Sequence, residues 1–431
     1  MAEEVSLPPH VPERTRKTVV LAAVIGCLTG LGVAGFESLT ADALFGRVST
    51  APAWVQVLSP LVGLLGAAAA LRWLAGGATP STADEYIKAV PQPGAPFALR
   101  PAIGRVVACI STLGAGAAMG FEGPSIYLGS AVGVAVHGRL RRMLGGVSRH
   151  AAIVAGAAAG VAAIFKAPAT GAVFALEVPY QDDLASHAVL PALIGGATGY
   201  ATYAVFHGTD PLIPVSGKPP LDLPDLFGAA VVGVACGVGA RLFAWLLRRA
   251  KPVAHGPGGA DRGSGRRWTS PWVRPLAGGI VLGGLVVASR ASFDGRAFTL
   301  GPGYKAVEWA LDPHRSLVAV AALATFRVVA TTASVGGGGA GGLFVPLVVQ
   351  GAMTGRLVGG LLGGHNESLF VVLGIAAFLG AGYRVPLAAV MFVAEVTGRP
   401  GFVVPGLLAA VVSQLMMGTA SVSAYQARRD R

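Results

Sequence analysis

The sequence contains an internal repeat, and this repeat limits the folds that the chain can adopt. The segment RVVACISTLGAGAAMGFEGP at 105–124 returns 222 residues later as RVVATTASVGGGGAGGLFVP at 327–346. A second match, displaced by 218 residues, pairs Glu177 with Glu395. The two displacements differ only by a short loop, so the chain is predicted to contain two copies of one structural plan.

Both copies are predicted to lie in a membrane. Of the 431 residues, 53% are hydrophobic and 13% are charged, whereas about 25% are charged in an average soluble domain. Apolar stretches near the ~20 residues that cross a bilayer recur along the chain, without the strict alternation of barrel strands. They lie at 18–44, 54–75, 226–247 and 272–288. We therefore predict an all-α polytopic membrane protein.

The net charge of +12 is better explained by membrane topology than by a nucleic-acid partner. The loop at 248–274 carries seven Arg or Lys residues and one acid, and further basic residues flank both ends of the chain. The positive-inside rule places this loop and both termini in the cytoplasm. The first span and its repeat partner then run in opposite directions. The repeat is predicted to be inverted, in a multi-pass protein of the cell membrane surrounded by lipid.

The predicted organisation follows from these limits. Inverted halves whose helices are broken by Gly and Pro are typical of transporters and channels that bind ions near the bilayer midplane. The Pro-rich segment between the halves has few basic residues, so it is expected outside the cell. The predicted parts are a cytoplasmic tail at 1–17, a first membrane repeat at 18–207, an extracellular linker at 208–222, a second repeat at 223–421 and a cytoplasmic tail at 422–431.

GFEGP at 120–124 and GLFVP at 342–346 predict two helix starts inside the membrane. Proline suits the first turn of a helix, so the helices are expected to begin at Pro124 and Pro346. Unpaired amides and the positive end of the helix dipole favour an anion at such a place. The amides predicted to bind it belong to Phe121, Glu122, Gly123, Leu343, Phe344 and Val345.

Glu122 is a carboxylate in only one of the two copies. It is the natural competitor for the same amides, because it can occupy the position of the anion. When it is protonated or displaced, the pathway opens, so Glu122 is predicted to be a gate. The alternative is a glutamate that merely complements the helix dipole. We favour the gate, since ionisable residues inside a membrane usually serve function.

These motifs resemble those of the CLC family of chloride channels and proton-coupled chloride exchangers. GFEGP is similar to the family's GxEGP, GLFVP to its GxFxP, and FKAPATGAVFALE to a third segment that ends in a glutamate. The resemblance implies broken, re-entrant helices that meet near the bilayer midplane, and a homodimer with one chloride pathway in each subunit. It also implies that Glu122 is the external gate. Neither a cofactor nor a metal is expected. No CBS domains are expected after residue 421.

The central anion ligands depart from the family pattern. Pro80 stands where the family usually has a serine, although Ser81 or Thr82 supplies a hydroxyl if the register differs by a residue or two. Val422 stands at the position of the family's tyrosine, and Tyr425 follows one turn later. Tyr425 is equally well explained as an interfacial aromatic. The preferred anion therefore stays open between chloride, nitrate and fluoride.

The residues for proton coupling also depart from the family pattern. Exchangers commonly carry a second glutamate after the one that matches Glu177, and this chain has Val178 there. Glu177 and Glu395 are expected to cap neighbouring amides, and the candidates for a proton path are Glu122 and Glu177. We expect channel-like or loosely proton-coupled flux of a chloride-class anion, with a proton-coupled antiporter as the alternative.

Two other classes of protein are less favoured. A secondary transporter of another small anionic solute is compatible with paired helix ends. A membrane enzyme is not expected, because the sequence has no HExxH, GxSxG or P-loop motif.

Overall fold

The computed structural model describes residues 12–92, 97–140, 147–213, 215, 223–251, 271–363 and 367–428. These residues form helices throughout, and the only β-contacts among them are two isolated bridges. Eight of the described helical segments are long and apolar enough to cross a membrane. Each predicted apolar stretch coincides with one of them to within two residues at the ends that extend beyond it. The expectation of an all-α polytopic membrane protein is confirmed.

The first half contains nine α-helices in the described residues. A π-helical segment, Ser38–Phe45, interrupts the long first span between α1 and α2. The helices are α1 Glu13–Glu37, α2 Gly46–Thr50, α3 Ala53–Trp73, α4 Ala83–Ala89, α5 Ala102–Gly114, α6 Glu122–Leu140, α7 Arg149–Phe165, α8 Pro168–Glu177 and α9 Val189–His207.

The second half repeats this order. Eight helices follow, and their order along the chain corresponds to that of α1 and of α3 through α9. They are α10 Leu223–Ala250, α11 Val273–Ser292, α12 Tyr304–Ala310, α13 Leu317–Gly336, α14 Phe344–Leu361, α15 Glu367–Tyr383, α16 Pro386–Thr397 and α17 Val403–Met417.

Equivalent hydrogen bonds join the two halves. The Ala118 amide donates to Ser334 Oγ at 3.0 Å. The equivalent Ala340 amide donates to Thr112 Oγ1 at 3.1 Å. Each residue of one bond is the repeat partner of a residue in the other bond, displaced by 222 positions. The halves are therefore related by a local two-fold axis, which is the arrangement of an inverted repeat.

The core lies around α7 and α15, which are almost entirely buried. Glycines bring their backbones close to α6 and α14. A Cβ added at Gly156 would collide with the carbonyl oxygen of Gly129, and one at Gly374 would collide with that of Gly351. Small residues allow such close approach between membrane helices. The close packing holds α6 against α7 in the first half and α14 against α15 in the second.

The predicted boundaries differ from the structure at several places. Helix α1 begins at Glu13, inside the predicted N-terminal tail. Helices α6 and α14 begin two residues before Pro124 and Pro346, because proline is accepted anywhere in the first turn. The predicted C-terminal tail packs on the first half, where the Ala427 amide donates to the Pro179 carbonyl at 2.9 Å. Most of the basic loop and of the predicted linker, at 252–270 and 216–222, lies outside the described residues.

Candidate functional site

The two helix breaks meet at the centre of the protein. Gly120 and Gly342, which precede α6 and α14, exchange backbone hydrogen bonds of 2.9 and 2.7 Å in an antiparallel bridge. These glycines are repeat partners. The bridge therefore sets the two helix starts side by side, so that amides from both halves face a common point.

The carboxylate of Glu122 occupies this point. The Phe344 amide donates to Glu122 Oε1 at 2.5 Å, and the amides of Val345 and of Glu122 itself also face the carboxylate. The residue is only 1% exposed. Glu122 Oε2 is buried and has no hydrogen-bond partner among the described residues. The carboxylate thus takes the place that free helix amides offer to an anion.

Glycine is required on both sides of the carboxylate. A Cβ added at Gly342 would collide with Glu122 Oε1, and one added at Gly120 would collide with Oε2. The two glycines of the bridge therefore do more than turn the chain, because they leave the volume that the carboxylate fills.

Two cavities approach Glu122, and Glu122 lines neither of them. The first, which we call the Tyr304 vestibule, has a volume of about 790 Å³. The second, the Thr82 vestibule, has a volume of about 640 Å³. Phe121 lines the first vestibule, and Leu343 lines the second. The buried carboxylate therefore lies between two water-accessible spaces.

Of the three candidates before α4, Pro80 has no hydroxyl, and the hydroxyl of Thr82 is better placed than that of Ser81. It is 2% exposed, and its Oγ1 is buried without a hydrogen-bond partner in the described structure. A Cβ added at Gly123 would lie 2.6 Å from this oxygen, so the hydroxyl lies against the start of α6. Pro80 and Ser81 also line the Thr82 vestibule. An orphaned buried hydroxyl beside helix amides is a suitable additional donor for an anion.

Tyr383, which the sequence interpretation missed, is a buried aromatic residue close to the start of α14. It lines the Thr82 vestibule, and the Leu343 amide faces its hydroxyl. Val422 lies beside it, through a 2.9 Å bond from the Val422 amide to the Gly382 carbonyl. Tyr425 is 42% exposed, and Lys88 Nζ lies 3.9 Å from its ring centre. Tyr425 therefore has the exposed position of an interfacial aromatic.

Glu177 and Glu395 cap helices of the opposite halves. Glu177 accepts from the Leu387 and Ala388 amides, at 3.2 and 2.9 Å, at the start of α16. Glu395 accepts from the Ala169 and Thr170 amides, at 2.9 and 2.7 Å, at the start of α8. This reciprocal pair satisfies helix donors that would otherwise be unpaired in a buried environment.

Two buried arginines hold the loops that precede α4 and α12. Arg105 donates to the Thr79 carbonyl at 3.1 Å. Its repeat partner Arg327 donates to the Gly301 carbonyl at 2.9 Å and to the Pro302 carbonyl at 2.5 Å. The same sequence motif thus stabilises the two loops that face the two vestibules.

This fold and this site define a class of protein. Two inverted halves with broken helices that converge on a buried site near the middle of the bilayer are the architecture of membrane ion transporters and channels. Paired amide donors at the centre favour an anion over a cation there.

Comparison with known proteins narrows the class to a family. Residues 62–418 match the family model of the voltage gated chloride channel. The chain therefore belongs to the CLC family, as the motifs indicate.

Relatives and solved structures extend over nearly the whole chain. A protein of Ralstonia nicotianae, named as a ClcB-like chloride channel, is 27% identical and covers 96% of this chain and 97% of its own length. The H(+)/Cl(-) exchange transporter ClcA of Yersinia pestis is 26% identical and covers 95% of this chain and 87% of its own length. The structure of a CLC-type fluoride/proton antiporter superposes with a TM-score of 0.79 at 22% identity. The match covers 96% of this chain and 98% of the antiporter. The CLC fold and CLC-type anion transport are thereby supported.

Proposed function

We propose that this protein exchanges a small anion of the chloride class for protons, with Glu122 as both the gate and the proton acceptor. The sequence interpretation favours channel-like or loosely coupled flux, with the proton-coupled antiporter as the alternative. We prefer the antiporter. The exchange activity in the names of the relatives supports this preference.

The observation that carries the proposal is the bond from the Phe344 amide to Glu122 Oε1, at 2.5 Å. An anion and the carboxylate cannot both accept from the same amide. Anion binding at this point therefore requires Glu122 to leave. A protonated carboxyl group is a poorer acceptor than a carboxylate, so protonation of Glu122 favours anion binding, and anion binding favours protonation.

The location of Glu122 turns this competition into exchange. The side chain is buried between two vestibules, and moving a charged carboxylate across apolar protein is costly. The side chain therefore leaves its amides most readily as a neutral acid. One anion displaces the carboxylate as one proton binds it, so the two movements are linked at a single residue.

Val178 is the feature that favours the second candidate, channel-like flux. It is 1% exposed and carries no proton-binding group. The Gln426 side chain lies against it and donates to the Val178 carbonyl at 3.0 Å. Gln426 Oε1 is buried without a partner among the described residues, and a polar atom of this kind is where a buried water binds. Water at this place would continue a proton route past Val178, with Glu177 as a further candidate.

The anion ligands are proposed from the same geometry. The amides of Phe121, Glu122 and Gly123 and those of Leu343, Phe344 and Val345 would surround the anion positions. Thr82 would add a hydroxyl, and Tyr383 would take the role for which Val422 and Tyr425 were candidates. Chloride is favoured by the named relatives, and fluoride by the antiporter of similar fold.

Orientation, location and assembly also belong to the proposal. Arg248 and Lys251, which adjoin the basic loop, line the Thr82 vestibule. The positive-inside rule makes this vestibule cytoplasmic and the Tyr304 vestibule external, with both termini in the cytoplasm of a cell-membrane protein. The family resemblance implies a homodimer with one pathway in each subunit, which we also propose. The mass of the purified protein in detergent tests it.

The testing experiment records anion and proton movement together. Proteoliposomes receive a chloride gradient with no initial pH difference, and a pH electrode follows the external solution. Exchange predicts uphill proton movement at a fixed ratio to chloride flux. Chloride flux without proton movement would favour the channel-like alternative. Nitrate and fluoride gradients in the same assay identify the preferred anion.

A further inference from the structure

A further carboxylate within the membrane helices, Glu37, lines the Tyr304 vestibule and has no role in the mechanism above. It is the last residue of α1, directly before the π-helical segment Ser38–Phe45. Short π-helical segments within α-helices are frequent at functional sites. Ionisable residues inside a membrane span are costly and usually functional.

Glu37 belongs to a hydrogen-bonded cluster at the end of α9. Its carboxylate accepts from the Tyr203 hydroxyl, and the Tyr203 ring stacks on His207, with centroids 4.5 Å apart. Lys166 Nζ donates to the His207 carbonyl at 2.7 Å. His207 Nε2 also lies 3.9 Å from an Asp42 carboxylate oxygen. The carboxylate is thus held in place beside cationic and titratable groups.

The vestibule extends from Glu37 to Phe121, the residue directly before Glu122. Glu37, Phe121 and Tyr304 all line this cavity, and Tyr304 lies near both Glu37 and Glu122. A volume of about 790 Å³ has room for many waters. The charged and titratable groups that face Glu37 or its cavity are Asp42, Lys166, Tyr203, His207, Arg290, Arg296, Tyr304, Lys305, Glu308, Asp312 and Arg315.

We propose that Glu37 is a second proton-binding residue of the pathway, which loads Glu122 with protons from the Tyr304 vestibule. The Glu37 carboxylate accepts a proton from solution and becomes a neutral acid. It then gives that proton to vestibule water, which passes one to the Glu122 carboxylate. Glu37 regains its charge as Glu122 loses its own, and Glu122 is then free to leave the Phe344 amide.

This inference rests on the proposed function of Glu122, so the experiment varies both residues. Glu37→Gln is compared with wild type in proteoliposomes, and the same change is made in a Glu122→Gln background. We expect Glu37→Gln to slow chloride and proton movement together, several-fold, at an unchanged ratio. In the Glu122→Gln background it should have no further effect, because no proton acceptor remains.

A purely electrostatic or structural role of Glu37 would change anion flux in both backgrounds, and that result would overturn the proposal. Glu308→Gln, which removes an exposed carboxylate from the same vestibule, is the control and should match wild type. If Glu37→Gln does not assemble, Tyr203→Phe removes only the hydrogen bond and should slow both movements more mildly. If the variant that is tested, Glu37→Gln or Tyr203→Phe, moves chloride and protons at the wild-type rate, Glu37 does not load Glu122 with protons. If Glu122→Gln keeps its pH dependence, the proposed function itself fails.

Discussion

The Phe344 amide and the Glu122 carboxylate are joined by a 2.5 Å hydrogen bond in which each half of the repeat supplies one partner. Glu122 begins α6, and Phe344 begins α14. The bond therefore depends on the inverted arrangement of the halves. Any change that breaks it is expected to alter transport.

Glu122→Gln and Glu122→Ala are expected to remove the pH dependence of anion flux and to abolish coupled proton movement. Neither variant has a titratable group to compete with the anion. The measurement is chloride efflux from proteoliposomes across acidic and neutral pH. Wild-type pH dependence in both variants would show that Glu122 is not the gate.

Gly342→Ala is expected to weaken the pH dependence of flux without removing the carboxyl group. The added methyl would occupy the space of Glu122 Oε1 and displace the carboxylate from the Phe344 amide. Gly284→Ala is the matched control, since a Cβ there meets nothing within 4 Å. The same efflux assay checks both variants, and a wild-type pH profile in Gly342→Ala would argue against the tight fit.

Thr82→Val is expected to lower chloride affinity about fivefold, because one hydrogen bond contributes roughly 1 kcal/mol. The change keeps the shape of the side chain and removes the orphaned hydroxyl. Ser81→Ala is the control and should bind chloride normally. Calorimetric titration of the purified protein measures both. A loss in Ser81→Ala but not in Thr82→Val would assign the ligand to Ser81.

Glu177→Gln and Glu395→Gln are each expected to lower the free energy of unfolding by about 1–3 kcal/mol, since each loses charge-assisted bonds to helix amides. Thermal unfolding in detergent measures the effect. Glu13→Gln, which breaks only an exposed ion pair with Lys17, should change little. Loss of proton movement in Glu177→Gln alone would instead place Glu177 on the proton path.

The repeat, the helix breaks and the position of Glu122 could all be predicted from sequence. Each depends on residues that lie close together in the chain, such as Gly120, Glu122 and Pro124, whose backbone preferences act locally. The capping of helices by Glu177 and Glu395 could also be predicted, because both halves carry a glutamate at the equivalent position.

The surroundings of the proposed anion site could not be predicted in the same way. Thr82, Tyr383 and Gln426 come from separate segments, and their contacts depend on how long-range packing brings these segments together. Pattern and propensity carry little information on such contacts. Val422 aligns with the family's tyrosine in sequence, whereas Tyr383 reaches the site from the end of α15.

The most direct test of the central claim is a count of the protons that accompany chloride binding. Titration calorimetry of chloride into the purified protein, repeated in buffers with different heats of ionisation, gives this number. If the anion displaces the Glu122 carboxylate, wild type takes up protons as it binds chloride, and Glu122→Gln takes up none. Chloride binding to wild type without proton uptake would contradict the account.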